Sequence, residues 1–576
     1  MLFRSGFWIM ALAAGSLLAA GCRAPFNAAE FRDPARSGIS QMPPGKRPFG
    51  NSKSADTYRA NPVEAHAHFA TGIVYELNGE SERALEEYFK AAMDDLENEP
   101  LVLEVSRQLL KAKKSEQALE LLTRATAHPG ASANLFARLG FIYAQLGRQD
   151  SAVRAARIAV RREPDSLVGY QNLFLIFMRN EKAKDALNVL DKAAKVSRVS
   201  PEFLVGLGEL YGSYSLQVPG QKSVARARGL AVLKRAEKSK IAAPELELRL
   251  ADAFNLLGQN DESAKLYQEV LEKLPATSYL RETVRAKLTD IYLRGNKTTR
   301  AAEQLENIIR DNPTDAQAYY LLGNIAYTGT NYSKAIEQFS KVILLSPDFE
   351  PVYYDMAGAQ ISDDKPADAL ATLEKARTKF PQNFIVDYLA AMAYDRLNDF
   401  TNAVSHFNAA EIFAKVNDQK RLNDLFYFQF GAACERAGNL ALAETNFLEC
   451  LALSPNFSEA QNYLGFMWAD HGMNLDRARE LIARAVKAEP KNAAYLDSMG
   501  WVLYKLKQPK QALGYVLDAI KYSEEEDATL YDHLGDIYSA LDQPQKARDA
   551  WRKSLSLEAN EMVRKKLETS RDKARR

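Results

Sequence analysis

Cysteine is scarce: three residues in 576, at positions 22, 434 and 450, cannot build a disulfide framework, and none of them has the C-x-x-C spacing of a zinc site. Histidine is nearly as rare, with six in the chain. His66 and His68 stand two apart, so on a helix their side chains diverge and a shared metal is disfavoured. His471 and His533 read as surface or helix-end residues. An excess of either charge is also missing, because 75 Lys plus Arg face 74 Asp plus Glu. That balance leaves no global field to hold nucleic acid. No apolar run reaches the roughly 18 residues of a membrane-spanning helix. The motifs G-x-x-x-x-G-K, G-x-S-x-G and H-E-x-x-H do not occur, so no phosphate cradle, nucleophile elbow or zinc-protease helix is encoded in recognisable form. The sequence therefore implies a protein that is not an enzyme and takes no cofactor and no metal.

What is present is apolar residue in quantity, 47% of the chain, with 26% charged, which suffices for an extensive buried core. The N-terminus reads as an export signal: Arg4 supplies a short positive region and Phe7 to Ala20 form an apolar stretch. It ends in LLAAGC, where Ala20 and Gly21 precede Cys22. Small residues before a cysteine resemble the lipobox of bacterial lipoproteins, although Ala19 stands where leucine is commonest in that family. The resemblance implies diacylation of Cys22 and anchoring to a membrane by acyl chains. Arg23 follows the cysteine, and similarity to enteric lipoproteins then implies an outer-membrane location with the body in the periplasm. From Arg23 to Asn61 the composition turns to Pro, Gly, Arg and Ser without helical periodicity, as in a flexible tether.

From Ala65 onward, apolar and small residues recur every ~34 positions, the period of stacked helix pairs. The segment YYLLGNIAYTGTNYSKAIEQFSKVILLSP places Tyr319, Leu322, Gly323, Ala335, Phe339 and Pro347, and this pattern resembles the tetratricopeptide repeat (TPR) family. A small residue falls at one site of each first helix (Gly72, Gly140, Gly323, Ala357, Gly431, Gly465, Gly500), and alanine at one site of each second helix (Ala84, Ala152, Ala335, Ala369, Ala443, Ala478, Ala512). Two helices approach closely only where side chains are small. Phe174 and Thr289 depart from the first-helix site. Prolines 164, 275, 313, 347, 381, 455 and 490 close second helices, and Asp165, Asp348, Asn383 and Asn456 follow as candidate N-caps.

The expected fold is all-α, an α-α superhelix (a TPR solenoid) of about fourteen helix-turn-helix units. Its expected parts are residues 1–22 as signal peptide, 23–62 as linker, 63–243 as N-terminal repeats, 244–558 as C-terminal repeats and 559–576 as a polar capping helix. An insertion near 212–228 reads as a binding loop or subdomain boundary, and the long link from Ala410 to Asp424 as an extended second helix. Cys434 and Cys450 fall at small-residue core sites of one unit and read as buried thiols.

The resemblance implies that first helices line a concave face that binds peptides. On that face the candidate contacts are Tyr320, Asn324, Tyr327, Tyr354, Tyr388, Met392, Phe428, Phe466, Trp501 and Tyr504. Replacing Tyr354, Tyr388 and Trp501 with alanine is expected to abolish capture and spare helicity. The segments NYLGFMWADHGMNLDRARELIARAVKAEP, AAYLDSMGWVLYKL and LYDHLGDIYSALDQPQKARDAWRKSL resemble the C-terminal repeats of Gram-negative TPR lipoproteins. A lipoprotein of that kind delivers substrates to a carboxyl-terminal processing protease; others serve polysaccharide export or pilus assembly. The partners so implied are envelope proteins or peptides and, through the acyl chains, the membrane, with no nucleic acid and an open oligomeric state.

Overall fold

The structure, a computed structural model, describes residues 61–239 and 241–575; Cys22, the signal stretch and the linker up to residue 60 lie outside the described residues. Among the described residues there are 29 α-helices and no strand. They form two compact units, residues 61–311 and 312–575. Each unit contains seven helical hairpins, and the second adds a terminal helix, Glu561–Arg575. The all-α repeat solenoid expected from the period is the fold observed. No described helix is long and apolar enough to cross a membrane.

The hairpins close because the small sites leave no room for a side chain. A Cβ on Gly72 would stand 2.5 Å from the Tyr88 ring, one on Gly431 2.8 Å from Phe447, and one on Gly465 2.6 Å from Ile482. Each glycine is thus the socket for a large residue of its own second helix, and alanines such as Ala84, Ala335 and Ala443 are fully packed beside it. Phe174 and Thr289, the two exceptions, are also buried. Between the two helices of most hairpins the chain turns through one left-handed residue. It is glycine at Gly79, Gly147, Gly258 and Gly438, but Thr330, Asp364 and Asn398 adopt φ of 58°, 54° and 59°.

Two local readings change. Asn383 does cap its helix, accepting from the Ile385 and Val386 amides. Asp165, Asp348 and Asn456 do not: Asp165 and Asn456 stand one residue and Asp348 two residues before the cap positions, which fall to Ser166, Phe457 and Glu350. Side-chain caps on other first helices come from Asn61, Asn98, Ser132, Ser200, Asp315, Asn423, Asn492 and Asp527. The insertion at 212–228 is not a loop: it lengthens both helices of one hairpin, Pro201–Gln217 and Lys222–Glu237, joined by a single 3-10 turn at Pro219–Gln221. Leu210, Tyr211 and Tyr214 continue the apolar stripe through it and are buried, which makes helix cheaper than loop. The link after Ala410 is helical to Asn417, as its pattern implies.

The terminal helix docks through Val563, buried against Ala547 and Trp551. Its Lys566 reaches Asp532 and Asp536 of the preceding first helix at 2.9 and 2.7 Å.

Candidate functional site

All ten candidate contacts belong to first helices of the 312–575 unit, and aligning those helices on their small residue places them at three register positions. Three residues before it stand Tyr320, Tyr354, Tyr388 and Phe428; one after it, Asn324, Met392, Phe466 and Trp501; four after it, Tyr327 and Tyr504. Since 3, 4 and 7 residues are close to whole helical turns, these positions share one face of each helix. The candidates are half-buried except Tyr354 and Trp501, each 8% exposed.

Contacts run from one first helix to the next along this face. The Tyr320 hydroxyl donates to Asp355 at 2.6 Å, and the Tyr388 hydroxyl to Gln429 at 2.6 Å. Phe428 meets the edge of Tyr463, ring centroids 5.7 Å apart. Two units on, His533 Nδ1 lies 2.9 Å from both oxygens of Asp497. In every case a residue three before the small site meets one two before it in the next helix. A second line joins Arg436 to Asp395 at 2.9 Å, and Trp501 Nε1 to Asp470 at 3.1 Å. Tyr354 turns instead to Glu350 and Asn383, both at 2.7 Å. The polar ends of these aromatics are therefore used inside the chain, and what they leave for a partner is ring surface.

The face also carries carboxylates that a search for aromatic types passes over. The same three register positions are filled in other hairpins by Asp395, Glu435, Asp497, Asp532 and Asp536. Burial pushes the carboxyl of Asp355 up to about 6, only partly offset by the Tyr320 hydroxyl. Burial likewise raises Asp395, Glu435 and Asp536, and it pushes the Tyr388 phenol up to about 12. His533 is not a surface residue: it and Asp497 are 8% and 4% exposed at their side chains, beneath the ring of Trp501 at 4.0 Å. Burial opposes its protonation, but the charge and hydrogen bond of Asp497 outweigh burial and hold the imidazole above its ordinary value. Asn324 Oδ1, Asp395 Oδ1 and Asn462 Oδ1 are buried acceptors with no hydrogen-bond partner among the described residues.

Elsewhere the chemistry is quiet. Cys434 and Cys450 are free and buried, and burial pushes both thiols up to about 12. No group of three potential metal ligands occurs among the described residues.

Family models described as tetratricopeptide repeat match residues 55–100, 287–348 and 354–417, and further models of that description match 245–277 and 528–561. The chain carries tetratricopeptide repeats. Among curated proteins it is similar to the TPR repeat-containing protein PA4667 of Pseudomonas aeruginosa, 28% identical over 222 residues, which cover 38% of this chain and 36% of that one. It is similar to the type IV pilus assembly protein PilF of the same organism, 27% identical over 138 residues, 23% of this chain and 54% of that one. The human protein O-mannosyl-transferase TMTC3 is 24% identical over 406 residues, 67% of this chain and 42% of that one. The chain thus spans about half the length, or less, of these curated relatives. Among solved structures, the APC/C hetero-tetramer Cut9-Hcn1 aligns over 81% of this chain and 95% of that one, at 16% identity and a TM-score of 0.37. YrrB, described as a TPR protein with an unusual peptide-binding site, aligns over 34% and 97%, at 20% identity and a TM-score of 0.29. TPR proteins generally mediate protein–protein interactions.

Proposed function

We propose that this chain is a non-catalytic scaffold that grips a segment of an envelope protein on the first-helix face of residues 312–575. The carrying observation is the gathering of ten side chains, eight of them aromatic, with Met392 and Asn324, onto one line of first helices. Rings fixed at their polar ends lose little further entropy on binding, which suits them as contact anchors. The unpartnered acceptors of Asn324, Asp395 and Asn462 support the same reading, because a bound main chain brings amide donors.

In this proposal Cys22 carries the lipid that holds the chain to the outer membrane, with the repeats in the periplasm, and the gripped segment belongs to a client of a carboxyl-terminal processing protease. A second reading, an accessory role in pilus assembly or polysaccharide export, draws its support from the similarity to PilF over 138 residues.

The burial of Tyr354 and Trp501 changes the test. Alanine there removes core as well as surface, so the informative variants are Tyr327→Ala, Met392→Ala and Tyr504→Ala, which are half-buried. Affinity capture from solubilised envelopes, followed by mass spectrometry, is expected to recover a protease with its substrates, and the triple variant to lose them while its melting curve stays cooperative. Recovery of pilus or secretion-pore components alone would exclude the adaptor reading. Capture indifferent to the three substitutions would remove the face from consideration. Labelling with a fatty-acid analogue, lost in Cys22→Ser, tests the anchor.

A further inference from the structure

The first described helix, Pro62–Leu77, shows the solvent two apolar positions, Ala67 and Val74, whose equivalents are buried in five of the six later first helices of its unit. Its inner side packs normally, through Ala65 and Gly72 against the hairpin partner. Its outer side carries Val63, Ala67, Ala70, Val74 and Leu77, all exposed, with Val63, Val74 and Leu77 at 76%, 56% and 81%. In five of the six later helices the residues five before and two after the small site are buried, among them Leu135 and Ile142, Phe203 and Leu210, and Leu246 and Ala253; in Glu99–Lys111 they are the half-buried Leu101 and Gln108. Those helices are preceded by the second helix of another hairpin. At the equivalent places Ala67 and Val74 are bare, so the surface has the shape and chemistry of one made to receive a helix.

The spacing of the five residues is 4, 3, 4 and 3, the repeat of a two-helix seam. We propose that the occupant is the same helix of a second copy, packed antiparallel about a twofold axis near Gly72. In that register Leu77 of one copy sits over Ala67 of the other and Val74 over Ala70, so large meets small in four successive layers. Ile73, also exposed, meets its own counterpart beside the axis. The residues flanking the seam are Glu64, Thr71 and Asn78 on one edge, and Glu64 falls opposite Asn78, so no like charges meet. The chain's own residues 23–60 are the other available cover, but prolines at 25, 34, 43, 44 and 48 and glycines at 38, 45 and 50 break every stretch long enough to supply a matching apolar stripe. Four large side chains, each offering on the order of 60–120 Å² of apolar surface, fall short of the roughly 1,200 Å² of a standard stable interface. The pairing is therefore reversible, and it brings two copies of the candidate face into one particle. This inference is independent of what that face binds.

The test co-expresses two differently tagged full-length copies in a Cys22→Ser background, where the remaining thiols, Cys434 and Cys450, are buried. One copy carries Ala67→Cys and the other Leu77→Cys, and the cells are oxidised. Disulfide-linked heterodimers are expected, with far fewer homodimers from either variant alone. Equal homodimers from each variant would mean a parallel register and would overturn the proposal. Absence of any link would also overturn it, and maleimide then tells why: freely reactive thiols mean a bare face, protected thiols mean cover by the chain's own leader. Independently, Val74→Glu in the full chain is expected to raise the dimer dissociation constant at least tenfold in sedimentation with an unchanged melting temperature, since Val74 touches little within its own copy. An unchanged sedimentation profile would count against the pairing.

Discussion

Replacing Asp355 with asparagine tests the electrostatics of the first-helix face with little change of shape. The amide oxygen of Asp355→Asn can still accept the Tyr320 hydroxyl, so the link between the two helices survives and only the charge is lost. Burial moves the carboxyl from its ordinary 3.8 to about 6. Between those values the folded chain binds more protons than the unfolded one, so stability falls as pH rises through the window and the loss is complete above about 6. A displacement of about two pH units at 1.36 kcal/mol each puts the cost of the ionised carboxylate near neutrality at about 3 kcal/mol, an order-of-magnitude figure. Asp355→Asn should therefore be more stable than the parent at pH 7.5 and indistinguishable from it near pH 4. For a unit of this size the difference corresponds to a rise in melting temperature on the order of 5 °C. Differential scanning calorimetry across pH 4–8 measures it. A variant equal to the parent at pH 7.5, or less stable at both extremes, would refute the account of a desolvated, under-compensated carboxylate.

Other outcomes follow from contacts already described. Asp497→Ala leaves His533 buried without its partner and should cost about 3–5 kcal/mol in urea unfolding, more than the double change Asp497→Leu with His533→Leu. Because His533 is held above its ordinary value, the stability from that pair is complete below pH ~6.5 and lost as pH rises through the folded value, a dependence the double variant should lack. Gly431→Ala drives a methyl into Phe447 and should lower stability by about 1–3 kcal/mol, read from the same melts. Thr330→Gly should do the reverse, by up to about 1 kcal/mol, since a β-branched residue at φ 58° is strained; no gain would mean that the threonine's neighbours compensate.

Much of the fold is written in residues that act alone. Gly72, Gly431 and Gly465 are legible because the requirement for a small side chain repeats at each hairpin, and the period makes their register certain once one is placed. The register in turn gathers Tyr320 through Tyr504 on one face. What escapes is whatever depends on a partner in another helix. His533 looks like a helix-surface residue until Asp497, 36 positions earlier, is seen beneath Trp501. The carboxylates of the face share register with the aromatics, but a side chain's type does not reveal that its neighbours will desolvate it. The segment 212–228 was obscured by Pro219 and Gly220, which punctuate like a loop, whereas Tyr211 and Tyr214 on either side of Gly212 and Ser213 carry enough buried surface to hold the helix together. Asp165 and Asn456 fit the cap pattern and miss by one residue.

The contacts that pass from each first helix to the next also govern how such a chain can change length. Hairpins look interchangeable, yet each joint is keyed. Tyr320 finds Asp355 only because that hairpin comes next; excise residues 351–383 and its hydroxyl would face Leu389, which offers nothing to accept it. Remove the following hairpin instead, and Tyr354, already satisfied by Glu350 in its own helix, would lose little at the new junction. Duplication and deletion are thus tolerated unequally along an array of near-identical units, and the order of the hairpins is part of what the chain specifies.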